Sequence, residues 1–582
     1  MVYNLSYPRR RLLLALWPLS LTAQSEASTS SLDRGSLLIG QQRQAPSLPE
    51  SDQALIHQQN QQRALEQRLA LPEPTIRLAL PNYSAQQQGF PQENPCFPLT
   101  TITLSGGDAF PRWLQLQRIA NTAAGQCLGS QGINLLMRRL QNRLVDQGYV
   151  TTRVLAPEQD LTQGVLRLTF VPGKIRQLKM APHSHQGIFL STAFPGQSGA
   201  LVDLRDLEQG LENLQRLPTT QASMEIVAAD QPGESDIVVN WQQSRKWRLG
   251  LSVDDSGTRS TGRYQAGATL YLDNPLKFSD SLYLNAGKAL LARGGKGTHN
   301  YTGQYTLPYG YWQAGLTGSY NDYYQTIAGA YTDYRYRGQS QQLALQLGRI
   351  IHRGTQHKTR LTGEVSMRQS KNFIDDTAID NQHRKTTSWK ATLHHQHYLK
   401  TATVDLVARY QQGTRWFGAL PAGEETFGEA TALSHIVQIT ADLTLPFTIG
   451  TQQFRYNLLY QQQFTSSRLT PPEQFSIGGR WTVRGFDGER SLSADKGRLV
   501  RTEWSWSTPI TAQQLYLGLD YGDVWGRSST QLLGHHLAGS VLGVRGRVLS
   551  TAYDTFIGVP LSAPPGFRQD PVTFGFTVNW VY

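Results

Sequence analysis

At 582 residues and a mean hydropathy of −0.41, the chain has no apolar run of about 20 residues, which excludes a bundle of membrane-spanning helices. The same low hydropathy with 53 Gly, 25 Tyr and 12 Trp fits a membrane barrel, whose strands alternate lipid-facing and lumen-facing side chains. The net charge of +12 does not point to nucleic acid, because the basic residues are scattered rather than gathered on one helix or stripe.

Residues 1–27 read as an export signal. Arg9, Arg10 and Arg11 precede the apolar run from Leu12 to Leu21, too short to span a bilayer, and Ala23 and Ala27 offer small residues for cleavage. Export accounts for the cysteines: only Cys96 and Cys127 occur, and an oxidising compartment lets them pair. The next segment, 28–95, is polar and Gln-rich, and about 51–71 is its only plausible helix. Ser51 can cap the start, Pro72 and Pro74 end it, and Leu55, Leu65 and Leu69 are too few for an apolar stripe. By composition it is either a helix for a water-filled lumen or a linker. The stretch beyond it, to Pro95, reads as a linker.

Residues 96–172 have a β-α-α-β-β pattern. Thr100 to Leu104 is a short strand, and Ile133, Leu136, Leu140 and Leu144 recur at helical spacing until Gly148 stops the helix. Leu166, Leu168 and Phe170 alternate with Arg167 and Thr169, the pattern of a one-sided antiparallel sheet. A second copy, 173–243, has a helix with Leu204, Leu207, Leu211 and Leu214, starting near Asp203 and stopped by Pro218. A strand presenting Ile237, Val239 and Trp241 follows it.

From position 244 to 582 the chain becomes short alternating strands and turns. Trp247, Leu249, Leu251 and Val253 form one apolar row, and Tyr264, Ala266, Ala268, Leu270 and Leu272 the next. Phe454, Tyr456, Leu458 and Tyr460 would face outward, with Arg455, Asn457, Gln461 and Gln463 lining a wet interior. Val572, Phe574, Phe576, Val578, Trp580 and Tyr582 occupy every second place to the chain end, as in the C-terminal strand of outer-membrane barrels. The roughly 340 residues here, at about 21 per strand with its connection, give about 16 antiparallel strands.

The segment QFSIGGRWTVRGFDGE, at about 475–490, joins Arg484, Gly485 and Phe486 to the flexible Gly478, Gly479 and Gly488, so the loop can turn inward. If Leu515, Leu517, Leu519 and Tyr521 face lipid, parity sends Asp520 into the lumen, where Arg484 can meet it. Gly518 and Gly522 clear side chains around that carboxylate. With FSIGG before it and LYLGLDYGDVWG after it, the VRGF motif resembles the two-partner secretion outer-membrane transporters of the ShlB/FhaC/HecB family, over nearly the whole chain. The resemblance implies two POTRA modules, at 96–172 and 173–243, in the periplasm of a Gram-negative cell, and a membrane barrel in its outer membrane. It implies a plug helix at about 51–71 that fills the resting pore, and contact between Arg484 and Asp520. Arg484, Gly485, Phe486 and Asp520 are then the transport-critical residues. Phe574, Phe576, Trp580 and Tyr582 become the membrane-insertion signal, read by the barrel-assembly machinery. The partner implied is a large exoprotein, such as a haemolysin, adhesin or contact-dependent toxin, held by its N-terminal secretion domain. A barrel-assembly insertase of the BamA or TamA kind shares the modules and the inward loop, but two modules and a Gln-rich helix favour secretion. A porin or adhesin needs no tandem modules.

Enzyme chemistry is not indicated. There is no G-x-S-x-G elbow and no H-E-x-x-H, and the GGKGT around Lys296 breaks the P-loop order because Gly297 follows the lysine. His395 and His397 would share a strand face beside His394, but two imidazoles without a third placed ligand make no metal site. No cofactor and no metal are assigned.

Overall fold

Helix α1 (Glu50–Leu69) is the first element among the described residues of the computed structural model, which are 50–71, 74–78, 89–292, 294–328 and 331–582. The expected export signal at 1–27 lies outside the described residues, as do Pro72 and the side chain of Ser51.

The first module runs β1 (Thr101–Ser105), α2 (Leu116–Ala120), α3 (Ser130–Asp146), β2 (Arg153–Leu155) and β3 (Val165–Val171). Leu136, Leu140 and Leu144 of α3 and Leu166, Leu168 and Phe170 of β3 make its core, so the two periodicities meet on one interface. Gly148 sits just past α3 at φ 107°, a conformation that a side chain disfavours. The sheet differs from the antiparallel expectation: its order is β1-β3-β2, and β1 runs parallel to β3. The helices carry the chain across the sheet, so the strand that finally pairs with β1 arrives in the same direction. Cys96 and Cys127 are disulfide-bonded, with Cα atoms 5.3 Å apart and a sequence separation of 31. Opening a loop of that size should cost about 3–4 kcal/mol through the entropy of the unfolded chain. Chemical unfolding of the two-module fragment, wild type against Cys96→Ser/Cys127→Ser, checks this; equal midpoints would show that the cross-link contributes nothing.

The second module contains β4 (Lys174–Met180), α4 (Leu204–Gln215), β5 (Thr220–Ala228) and β6 (Glu234–Gln243), in sheet order β4-β6-β5. The Asp203 carboxylate caps α4 by accepting the Arg205 N–H at 2.8 Å. Burial, with Asp206 adding repulsion, pushes that carboxyl up to about 6. Leu204, Leu207 and Leu214 pack on Ile237, Val239 and Trp241.

Sixteen strands then close a barrel. The first eight are β7 (Trp247–Asp254), β8 (Tyr264–Asp273), β9 (Ser281–Leu290), β10 (Gly297–Tyr309), β11 (Trp312–Ala328), β12 (Asp333–Arg353), β13 (His357–Ile374) and β14 (Arg384–Tyr398). The rest are β15 (Thr403–Thr414), β16 (His435–Ile449), β17 (Gln452–Thr465), β18 (Lys496–Ser507), β19 (Gln513–Trp525), β20 (His536–Val548), β21 (Thr551–Ser562) and β22 (Thr573–Val581). All neighbours are antiparallel, and β22 closes on β7 through five residue pairs, Thr577–Asp254 to Val581–Gly250. The apolar rows face out: Leu251, Val253, Leu515, Leu517, Leu519 and Tyr521 are exposed, whereas Gln463 is buried inside. Phe574 and Tyr582 lie on the outer face of β22, and Trp580 and Trp247 each come within about 6 Å of the Tyr582 ring, at 6.2 and 5.8 Å.

Charge joins the second module to the barrel. Arg353, the last residue of β12, donates to Glu212 at 2.8 and 2.9 Å, to Glu208 at 3.3 Å and to Gln209 at 2.9 Å, all on α4. The segment that follows α1 threads this junction, where Ile76 N–H and Leu78 N–H donate to Glu212 and Glu208 at 3.1 and 2.8 Å.

Candidate functional site

The lumen is occupied by two pieces of the chain's own structure. The first is α1, which presents polar atoms to a polar wall, as its lack of an apolar stripe requires. His57 Nε2 lies 3.0 Å from the Ser256 carbonyl, and the Gln61 amide donates to Ser256 Oγ at 3.2 Å. The Gln62 amide donates to Thr302 at 3.1 Å, and Arg68 pairs with Asp254 of β7 at 3.2 Å. Leu55, Ile56 and Leu69 are its buried apolar side chains.

The second piece is the loop between β17 and β18. A small hairpin, Phe475–Ile477 with Leu492–Ala494, forms its base and turns the VRGF tip back along the inner wall. The tip is anchored by an apolar cluster of Ile477, Val483, Phe486, Leu492, Leu499, Val524 and Leu537, so Phe486 is a packing anchor. Gly485 has φ 102°, and a Cβ there would lie 2.6 Å from the Val559 carbonyl oxygen. A Cβ on Gly539 would overlap the Arg484 carbonyl oxygen, and one on Gly518 would overlap the Arg484 guanidinium. The tip therefore rests on a floor stripped of side chains.

Arg484 and Asp520 meet there. Arg484 Nε and Nη2 donate to the two carboxylate oxygens of Asp520 at 2.7 and 2.9 Å, and the Arg484 backbone N–H adds a third bond at 2.9 Å. This fork geometry fixes position as well as charge, which lysine does not reproduce. Arg484 Nη1 also donates to Glu503 at 2.6 Å and Nη2 to the Thr502 carbonyl at 3.2 Å. Both partners are buried, with 7% and 1% of the Arg484 and Asp520 side chains exposed. Arg501 approaches Asp520 at 3.8 Å and donates to the Trp481 carbonyl at 3.0 Å, and Arg545 completes the array by pairing with Glu503.

Glu503, Arg501 and Arg545 were not among the sequence-derived candidates. Parity alone would have pointed Arg501 and Glu503 inward, but only the strand register sets Arg501 opposite Asp520 and Glu503 opposite Gly518. The histidines separate: His394 pairs with Asp405 at 2.8 Å, while the rings of His395 and His397 stack 6.0 Å apart. His357 stacks beside them, 6.0 and 6.2 Å away. Stacked rings do not converge on a point, and among the described residues no three His, Cys, Asp or Glu side chains are placed to hold a metal.

Comparison with known proteins agrees with this architecture. The family model described as haemolysin secretion/activation protein ShlB/FhaC/HecB matches residues 233–546, more than half of the chain. A ShlB-type POTRA domain matches 97–173 and a further POTRA domain 174–228. The outer membrane transporter CdiB-2 of Burkholderia pseudomallei is 34% identical over 545 residues, 90% of this chain and 93% of that protein. The hemolysin transporter protein ShlB of Serratia marcescens is 27% identical, over 81% of each chain. The solved structures of CdiB from Acinetobacter baumannii and from Escherichia coli superpose with TM-scores of 0.80 and 0.81 at 30% and 27% identity. Each covers 92% of this chain, and 99% and 100% of its own. With two POTRA modules, a 16-stranded barrel and the inward VRGF loop in place, the chain belongs to the ShlB/FhaC/HecB family: it is a two-partner secretion transporter of the outer membrane, with its POTRA modules in the periplasm.

Proposed function

We propose that the cargo is one large exoprotein of the contact-dependent toxin kind, captured by its N-terminal secretion domain at the POTRA modules and passed outward through the lumen that α1 fills. The observation that carries this reading is how each obstruction is held. Helix α1 is held by three buried apolar side chains, Leu55, Ile56 and Leu69, by a few hydrogen bonds to the wall, each worth about 0.5–1.5 kcal/mol, and by a partly exposed ion pair worth about 1 kcal/mol or less. The loop tip is fixed by a buried fork and an apolar cluster. The helix is the removable part, and Arg484, Gly485, Phe486 and Asp520 keep the loop against the wall while cargo passes. The high similarity to transporters named CdiB supports the choice of cargo class. Phe574, Phe576, Trp580 and Tyr582 serve as the signal by which the barrel-assembly machinery inserts β22.

Capture uses the sheet edges. In each module one strand is central, β3 or β6, which leaves β1, β2, β4 and β5 as edges able to pair with an extended client strand. Main-chain pairing supplies most of the affinity, so salt weakens binding only in part. The expected result is that residues 89–243 alone bind the client's N-terminal domain in calorimetry at both 50 mM and 500 mM salt. Absence of binding at micromolar concentrations in both would place recognition in the lumen instead.

A further inference from the structure

The outer face of the barrel carries a groove of about 840 Å³ that follows the strand register across β7 to β14. Its floor is Gly303 of β10 and Gly318 of β11, paired directly with one another. Leu284 and Leu343, the cross-strand partners of these glycines, bound the floor at either end of that row. Tyr301 and Tyr320, one step along β10 and β11 on the same face, make the upper wall, with ring centroids 6.4 Å apart. Barrel strands are tilted, so a row running straight across them crosses the bilayer on a slant.

The two ends of the groove differ in chemistry. Toward β8 the lining is mostly apolar, with Leu249, Leu270 and Ala286 alongside Asn285. Toward β14 the polar groups gather beside the exposed Phe417 of the β15–β16 loop: Gln341 donates to Gln369 at 2.8 Å, and Gln369 is paired directly with Lys385. Lys385 is the second residue of β14, at the strand end opposite the POTRA modules, and so at the extracellular side of the membrane. Lys371 lies two residues past Gln369 on the same face of β13, a diagonal neighbour of Lys385 at about 7–8 Å. Among the described residues neither lysine is in an ion pair, whereas Arg337 on the same outer face is paired with Asp322. Two ammonium groups without an ion-pair partner among the described residues thus stand at the extracellular end of this face, near the interface, where a lysine costs little.

We propose that this groove is a binding site for one phosphate-bearing glycolipid of the extracellular leaflet, a lipopolysaccharide molecule. An acyl chain lies over Gly303 and Gly318, where no side chain stands in its way, and its headgroup phosphate sits between Lys371 and Lys385. The apolar trough alone would accept any acyl chain. The paired positive charge at the extracellular end is what selects a phosphorylated headgroup there.

Native mass spectrometry of the full-length protein in detergent tests this, with bis-phosphorylated lipid A as the probe and dephosphorylated lipid A, phosphatidylglycerol and phosphatidylethanolamine as competitors. Wild type is expected to hold one lipid A at least tenfold tighter than any competitor. Lys371→Glu/Lys385→Glu should weaken lipid A at least tenfold, while Lys371→Arg/Lys385→Arg should retain it. Gly318→Leu fills the floor, and since a Cβ there meets nothing closer than Leu343 Cδ1 at 4.0 Å, the barrel should accept it. That variant should weaken phosphorylated and dephosphorylated lipid A alike. Equal binding by all variants, or preference for either phospholipid, would overturn the assignment, with heat-modifiable migration confirming that each barrel is folded.

Discussion

Replacing Arg484 by alanine is expected to lower export at least tenfold while leaving a folded, heat-modifiable barrel in the outer membrane. The substitution leaves Asp520 buried with a carboxylate whose remaining cation, Arg501, is 3.8 Å away. Loss of one partner of a buried pair costs about 3–5 kcal/mol. That cost falls on the loop, because Arg484 belongs to no strand, and the ladder of sixteen strands is untouched. Asp520→Ala should behave alike. The exchange Arg484→Asp/Asp520→Arg should recover little: the new aspartate would face Glu503, and the new arginine would stand opposite Arg501. Client protein in the medium against client in the periplasm reads all of these. Undiminished secretion by Arg484→Ala would remove the arginine from the transport mechanism, and full rescue by the exchange would mean that Glu503 exerts no influence.

Deleting residues 50–71 should open the pore. Single-channel recordings in planar bilayers are expected to show larger and steadier conductance for the truncated protein than for wild type, with secretion maintained. A graded version is Arg68→Ala with Gln61→Ala and Gln62→Ala, which removes three of the wall contacts and should lengthen open events without fixing the pore open. The tether beyond the helix would remain, since Ile76 and Leu78 bond to Glu212 and Glu208 independently of it. Unchanged conductance after deletion would show that α1 does not limit the resting pore.

Much of this architecture is local in origin and so was open to reading from sequence. Period-2 rows such as Leu515, Leu517, Leu519 and Tyr521 define the lipid face, and that face fixes by parity that Asp520 points inward. The leucines of α3 and α4 report their helices for the same reason, a side-chain period set by backbone geometry. The polarity of α1 marked it as unfit for a core. The VRGF motif carried the family likeness, and with it the expectation that Arg484 reaches Asp520.

Tertiary structure alone decided which positions distant in sequence share a wall. Glu503 and Arg545 join Arg484 because β18, β19 and β20 are neighbours in one particular register, and a one-residue slip would turn each of them outward. Gly539 looks like any strand glycine until the loop carbonyl is found against it. Arg353 reads as an ordinary strand-end residue, yet it holds α4 and the tether from α1 together through charges more than 140 residues away. The parallel pairing of β1 with β3 is not legible in the sequence for a related reason: alternation reports which face a strand buries, but the direction of its neighbour depends on where the intervening helices deliver the chain.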